Sequence, residues 1–171
     1  MNDSESKMIK VRFDLSEIEG APGGETMWAT PISREQARRE NIPFNGHQQA
    51  KLENIPFFAY GYAIGDIVDL TPGAEADDFP DVVGVAQPSG QQTLRVLFDQ
   101  SLDEATTTQH IKDLATRLEE SGSIMERGFG ALAAISVVAG MPQASVIAIL
   151  EELDSDGVLA WEDGMSFEPE E

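Results

Sequence analysis

Histidine, serine and cysteine are the first side chains to consider as catalysts or ligands. The chain has two histidines, His47 in a polar stretch and His110 near the start of a predicted helix, and it has no cysteine. Neither histidine is part of a His-Glu-x-x-His zinc pattern, and no serine stands in a Gly-x-Ser-x-Gly elbow. The absence of cysteine excludes a thiol nucleophile and thiolate metal ligands. We therefore predict no catalytic residues, no cofactor and no metal site.

One acidic stretch partly matches a calcium-binding loop. Glu152 to Gly157 reads Glu-Leu-Asp-Ser-Asp-Gly, and Asp163 stands where such a loop places its last carboxylate. However, Glu152 replaces the usual first Asp, and Asp163 replaces the longer Glu that binds calcium through both oxygens. The favoured interpretation is a helix end followed by a turn, where Asp, Ser and Gly are common.

The excess of carboxylates is the strongest chemical signal in the sequence. The chain carries 31 Asp and Glu against 11 Lys and Arg, a formal net charge of -20. A field of this sign repels nucleic acid and attracts basic partners, although carboxylates can also serve solubility alone. We predict no nucleic-acid binding and a basic protein partner, which would contact carboxylates in two acidic stretches: Asp77, Asp78, Asp81, Glu151, Glu152, Asp154 and Asp156.

The densest basic cluster lies in a short predicted helix. Ser33 to Glu40 begins with a capping residue and carries Arg34, Arg38 and Arg39. The favoured interpretation is a solvated helical face that pairs with nearby Glu. The alternative is a clamp for an anion or a carboxylate.

The elements that must position these residues differ between the two halves. In residues 1–90, short strands are predicted at 8–15, 26–29, 67–70 and 81–86, with the second strand ended by Pro31. We expect them to form a small curled β-sheet or open barrel. Four aromatic residues of this half are predicted to lie in the core, and the alternative is that some of them line a pocket or interface: Trp28, Phe57, Tyr60 and Tyr62.

Residues 91–163 show a clearer order of elements. Strands are predicted at 93–98, 124–128, 132–138 and 158–161, with helices at 103–120 and from Pro142 to Gly157. The order β-α-β-β-α-β predicts a ferredoxin-like unit with both helices on one face of an antiparallel sheet. An acidic tail, 164–171, would follow, and the fold class is α+β.

The sequence also bears on localisation. Residues 1–7 lack the basic start and apolar core of a secretory signal, and the longest apolar stretch, 131–141, is shorter than the ~20 residues that span a bilayer. Together with the absence of cysteine, this predicts a cytoplasmic protein with no membrane association.

Several motifs are shared with one bacterial family. Met27 to Pro31, Leu52 to Val68, and Ser89-Gly90 followed by Thr93 to Val96 resemble the uncharacterised family catalogued as domain of unknown function 4265. The likeness covers most of the chain. Gln91 and Gln92 follow Ser89-Gly90 where many members have a histidine, and the resemblance implies no catalytic residues.

Three functions remain open. The first is an acidic, non-enzymatic binding protein, most concretely an immunity protein that neutralises a basic bacterial toxin by direct binding. The second is a regulatory or small-molecule-binding module. The third is an enzyme whose site is unrecognised, for which polar residues such as Arg95 or His110 would be candidates.

Overall fold

The computed structural model describes residues 7–73, 75 and 78–165, and these residues fall into two compact units. Unit 1 takes its residues from Met1–Asn54 and Ile64–Ser89, and unit 2 takes its residues from Ile55–Ala63 and Gly90–Glu171. The α+β class is confirmed, since each unit has its own sheet. Residues 55–63 group with unit 2, whereas the predicted boundary at residue 90 placed them in the first region.

Unit 1 is a closed five-stranded barrel. Consecutive strands pair antiparallel, and the first strand closes the barrel by pairing with the last. The predicted curled sheet is confirmed, and it is closed rather than open. Its elements are β1 (Ile9–Asp14), β2 (Gly24–Ile32), α1 (Arg34–Arg39), β3 (Gln48–Leu52), β4 (Ile67–Thr71) and β5 (Asp81–Gln87).

The closure of the barrel depends on Arg12 and Asp81. These residues are the parallel partners that join β1 to β5, and the backbone amide of Arg12 donates to the carbonyl of Pro80 at 2.8 Å. The guanidinium of Arg12 donates two hydrogen bonds to the carboxylate of Asp81, from Nε to Oδ1 at 2.6 Å and from Nη2 to Oδ2 at 3.1 Å. A bidentate pair of this kind fixes direction as well as distance, so it holds the two strands in register.

Two details of unit 1 differ from the sequence-based expectation. The second strand does not end at Pro31 but runs through it to Ile32, because β1 pairs with β2 only as far as Ala29. Beyond that point β2 has a neighbour on one side only, where a proline can be accommodated. Strand β3 was not predicted, since its sequence is polar and the burial of Gln49 depends on a partner in β4.

Unit 2 is a four-stranded antiparallel sheet with two helices. The strand order is β7-β8-β6-β9. Alternate residues of β6, namely Leu94, Val96 and Phe98, are buried in one cluster with Leu114 and Leu150 of the two helices. The elements are β6 (Gln92–Phe98), α2 (Glu104–Glu120), β7 (Ile124–Arg127), β8 (Leu132–Val137), α3 (Gln143–Ser155) and β9 (Leu159–Asp163).

Local capping residues and glycines define the helix ends. Ser33 accepts a hydrogen bond from the amide of Gln36 at the start of α1, and Asp103 accepts one from Thr106 at the start of α2. Gly122 and Gly157 follow the ends of α2 and α3 with φ of 73° and 70°. Within the described ranges, none of the helices combines the length and apolarity needed to cross a bilayer.

Replacing Arg12 by Gln should open the barrel of unit 1 more readily. We expect a lower unfolding midpoint in urea and faster hydrogen exchange of the β1 and β5 amides, because the pair that joins these strands is lost. The matched control is Arg39→Gln, which removes an ion pair between adjacent, exposed residues, Arg39 and Glu40. Equal effects of the two substitutions would show that closure does not depend on Arg12.

Candidate functional site

The predicted partner-binding carboxylates are divided between the two units. Asp78 and Asp81 belong to unit 1, and Asp81 is already bound by Arg12. The residues of the second acidic stretch belong to unit 2. Asp77 lies outside the described residues. The structure therefore does not present the seven predicted residues as one patch within a single unit.

At the end of α3 three carboxylates are exposed. Glu151 and Asp154 lie in the last two turns of the helix, and Asp156 is its C-cap. None of their side chains forms an ion pair or hydrogen bond with any residue that the structure describes. Glu152 differs, because Arg117 of α2 holds it through two bonds of 3.2 and 2.8 Å and lowers the pKa of its carboxyl. We call Glu151, Asp154 and Asp156 the α3-end carboxylates.

The calcium-like stretch forms a helix end and a turn. α3 continues to Ser155, so Glu152 is helical, and Leu159 is buried in the core of unit 2. The carboxylate of Asp163 accepts a hydrogen bond from the amide of Met165. Among the described residues, no group of three His, Asp or Glu side chains is arranged to hold a metal ion.

The face of the unit 2 sheet opposite the helices is partly covered by residues 55–63. Because Leu94 and Val96 face the helices, Thr93 and Arg95 face the other side. Both bind the backbone of the covering segment, which we define as Ile55–Ala63: Thr93 Oγ1 donates to the carbonyl of Tyr62 at 3.0 Å, and Arg95 Nη2 donates to that of Ala59 at 2.8 Å. The amide of Ile55 also donates to Glu126 of β7.

Arg95 is the centre of this arrangement. Its side chain is only 5% exposed, its guanidinium carbon lies 3.9 Å from the centroid of the Tyr60 ring, and Nη1 donates to Glu162 Oε1 at 3.2 Å. The Tyr60 hydroxyl donates to the same oxygen at 2.8 Å. We call Arg95, Ala59, Tyr60 and Glu162 the Arg95 clamp. Its geometry holds the covering segment against the sheet.

Glycines make room for the clamp and the covering segment. A Cβ on Gly164 would lie 3.0 Å from Thr93 Cγ2 and 3.3 Å from Arg95 Nε, the latter a buried nitrogen without a hydrogen-bond partner among the described residues. A Cβ on Gly128 would lie 2.7 Å from the ring of Phe57. A side chain at residue 164 would crowd Thr93 and Arg95, which hold the covering segment, and one at residue 128 would displace the Phe57 ring of that segment.

Beside the clamp, the same face has an open apolar groove of about 420 Å³. Leu97 is 42% exposed there, directly between its strand partners Leu132 and Ala160. We call this feature the sheet groove, and it is lined by Phe58, Arg95, Val96, Leu97, Leu132, Ala160, Trp161 and Glu162.

The aromatic residues predicted to form a core are placed differently. Trp28 is 45% exposed on the barrel of unit 1, so its assignment to the core is wrong. Phe57, Tyr60 and Tyr62 belong to the covering segment of unit 2 and are half-buried. Sequence reasoning missed this because Arg95, which anchors them, is distant in the chain. The available signal was a single arginine within an otherwise apolar strand.

The motif residues shared with the suspected family fix the backbone in both units. In unit 1, Asn54 Oδ1 accepts from the amide of Trp28 at 3.1 Å, and Asp66 Oδ1 accepts from the amide of Ser89 at 2.7 Å. In unit 2, Arg95 holds the carbonyl of Ala59. These contacts give the motifs a structural role.

Replacing Arg95 by Met should loosen the covering segment. The Ala59 carbonyl would lose its donor, and leaving such a buried group unpaired costs about 1–3 kcal/mol. We expect the free energy of unfolding, measured in urea, to fall by that amount, and proteolysis within residues 55–63 to become faster. Arg127→Met, at an exposed position, is the control and should leave both the free energy of unfolding and the rate of proteolysis unchanged. Unaltered proteolysis of the Arg95 variant would contradict the clamp.

The hydroxyl of Tyr60 should ionise at a higher pH than that of an ordinary tyrosine. Burial first, and then the hydrogen bond and charge of Glu162, raise the pKa of its hydroxyl above 10.0. Since the folded pKa exceeds the unfolded one, Tyr60 stabilises the fold below pH 10.0 and this contribution is lost as the pH rises further. Ultraviolet titration of phenolate should show a late phase that Tyr60→Phe removes. A wild-type titration without that phase would refute the burial of the hydroxyl.

Comparison with known proteins gives a family and a fold. No curated protein matches the chain. A crystal structure described as that of a hypothetical protein from Neisseria gonorrhoeae is similar with a TM-score of 0.68 and 14% identity, over 95% of this chain and 98% of that one. At this identity the likeness concerns the fold alone. The family model "Domain of unknown function (DUF4265)" matches residues 44–161, more than half of the chain, and the protein therefore belongs to the DUF4265 family.

Proposed function

We propose that this protein is a non-enzymatic acidic binding protein of the cytoplasm that neutralises a basic partner, most concretely a bacterial toxin to which it confers immunity. The observation that carries the proposal is the combination, in unit 2, of the sheet groove with the α3-end carboxylates. An exposed apolar centre bordered by charge is the usual composition of a protein-binding surface.

The charge balance of unit 2 supports a basic partner. Its sequence contains sixteen Asp and Glu against four Lys and Arg. Two of the four cations, Arg95 and Arg117, are engaged in ion pairs within the unit. The α3-end carboxylates are exposed and form no ion pair with a described residue, so they are accessible to an external partner. A field of this kind accelerates the encounter with a basic surface and weakens as salt is added.

A short connection joins the end of α3 to β9, a strand that lines the groove. Asp156 ends α3, and Ala160, four residues later, lines the groove as the second residue of β9. The last residue of β6, Phe98, pairs with the first of β9, Leu159. The groove lies on the face opposite α3, so we propose that one partner covers the groove and extends around the edge strand β9 to reach the end of α3.

The topology of unit 2 supports its assignment as a ferredoxin-like fold, which we include in the proposal. Its six elements follow the order β-α-β-β-α-β. The first strand of the unit, β6, lies inside the sheet between β8 and β9. This arrangement exposes the sheet face opposite the helices, which is where the groove lies. Fold alone does not specify function, so the proposal depends on the groove and its charges.

The direct test is co-expression with the product of the neighbouring upstream gene. We expect rescue of host growth and co-purification of a complex at low salt that dissociates at high salt. No toxicity and no complex would overturn the immunity proposal.

Charge reversal tests the surface itself. The double variant Asp154→Lys, Asp156→Lys should weaken the complex at least tenfold, a change of about 1.4 kcal/mol. The control, Glu17→Lys with Glu19→Lys, changes the net charge equally at exposed positions of unit 1. If both doubles weaken the complex alike, net charge is responsible and the proposed surface is wrong.

A further inference from the structure

The basic cluster of α1 lies beside a cavity in unit 1 that the proposed function does not use. The cavity has a volume of about 430 Å³ and lies between α1, the loop after it, and strands of the barrel. This volume is in the range of small-molecule sites, which often occupy the mouths of barrels. Its wall is largely apolar, with Ile9, Ile32 and Leu70 among the lining residues.

The polar residues of the cavity favour an anion. Arg34 and His47 line it together with two glutamines, and none of the described lining residues is acidic. Arg34 forms no ion pair with any described residue, although the chain is rich in carboxylates. Its guanidinium carbon lies 5.3 Å from the centroid of the Phe44 ring. A cation–π contact of this kind keeps the guanidinium beside the ring, and its N–H groups have no acidic partner among the described residues.

The wall formed by the loop after α1 is fixed before any ligand arrives. Asp69, which is 6% exposed, accepts hydrogen bonds from Asn45 Nδ2 at 2.8 Å and Gln49 Nε2 at 2.9 Å. Gln49 Nε2 also donates to the carbonyl of Pro43 at 2.7 Å. Both carboxylate oxygens of Asp69 are thus engaged with neutral amides. A wall that is already ordered reduces the entropy cost of binding.

We propose that this cavity binds a small organic carboxylate with an apolar body, with Arg34 as the residue that pairs with the carboxylate. The apolar wall takes the aliphatic or aromatic body, and the rim beside Phe44 takes the charged group. This site lies wholly within unit 1, so it is independent of the surface proposed for the basic partner.

The test is titration of the full-length protein with octanoate and benzoate, followed by amide chemical shifts. We expect saturable shifts at Gly46, His47 and Gln48, with acetate and inorganic phosphate at least tenfold weaker. Phosphate binding as tight as octanoate would overturn the requirement for an apolar body. Equal binding of neutral octanol would overturn the role of charge, and no saturable shift with either acid would overturn the site.

Two arginines of the same helix provide matched variants. Arg34→Gln should weaken octanoate binding at least tenfold, whereas Arg39→Gln, outside the cavity, should leave it unchanged. Both variants should retain the wild-type amide spectrum away from α1, which separates loss of binding from loss of fold. Unchanged binding in Arg34→Gln would refute the assignment of Arg34.

Discussion

The buried guanidinium of Arg95 is the constraint on which the organisation of unit 2 depends. A cation removed from water must be paired and hydrogen-bonded, since an uncompensated buried charge is costly. Glu162, the Ala59 carbonyl and the Tyr60 ring meet this requirement from two separate parts of the chain. The covering segment therefore has a fixed place on the sheet, and the part of the face that it leaves exposed becomes the sheet groove.

Three of the few cations in this acidic chain form ion pairs between residues that are distant in sequence. Arg12 joins the first and last strands of the barrel, Arg95 anchors the covering segment, and Arg117 links α2 to α3 through Glu152. These pairs satisfy particular carboxylates and leave others, such as those at the end of α3, facing solvent. Arg34 of unit 1 forms no ion pair with a described residue, and its guanidinium lies over the ring of Phe44 beside a cavity.

The pentapeptide Glu-Asn-Ile-Pro-Phe occurs twice, at Glu40 to Phe44 and at Glu53 to Phe57, and the two copies have different roles. In the first copy Ile42 packs with Ala37 and Ile67 in unit 1, and Phe44 stays half exposed beside Arg34. In the second copy Ile55 is fully buried in unit 2. Both copies place Ile in a core. What each Phe contacts depends on the rest of its unit.

The sequence by itself determined the charge, the lack of cysteine, the alternation that makes β1 a strand, and the cap at Ser33. These properties are local or compositional, so they can be read without knowing which distant residues meet. The tertiary structure alone decided the closure of the barrel, the burial of Gln49 and the Arg95 clamp. Arg12 and Asp81 are 69 residues apart, and Arg95 and Ala59 are 36 apart. Local periodicity shows which face of a strand is buried. The partner of each polar group on that face depends on strand register and on which distant segment packs there, and only the folded chain defines these.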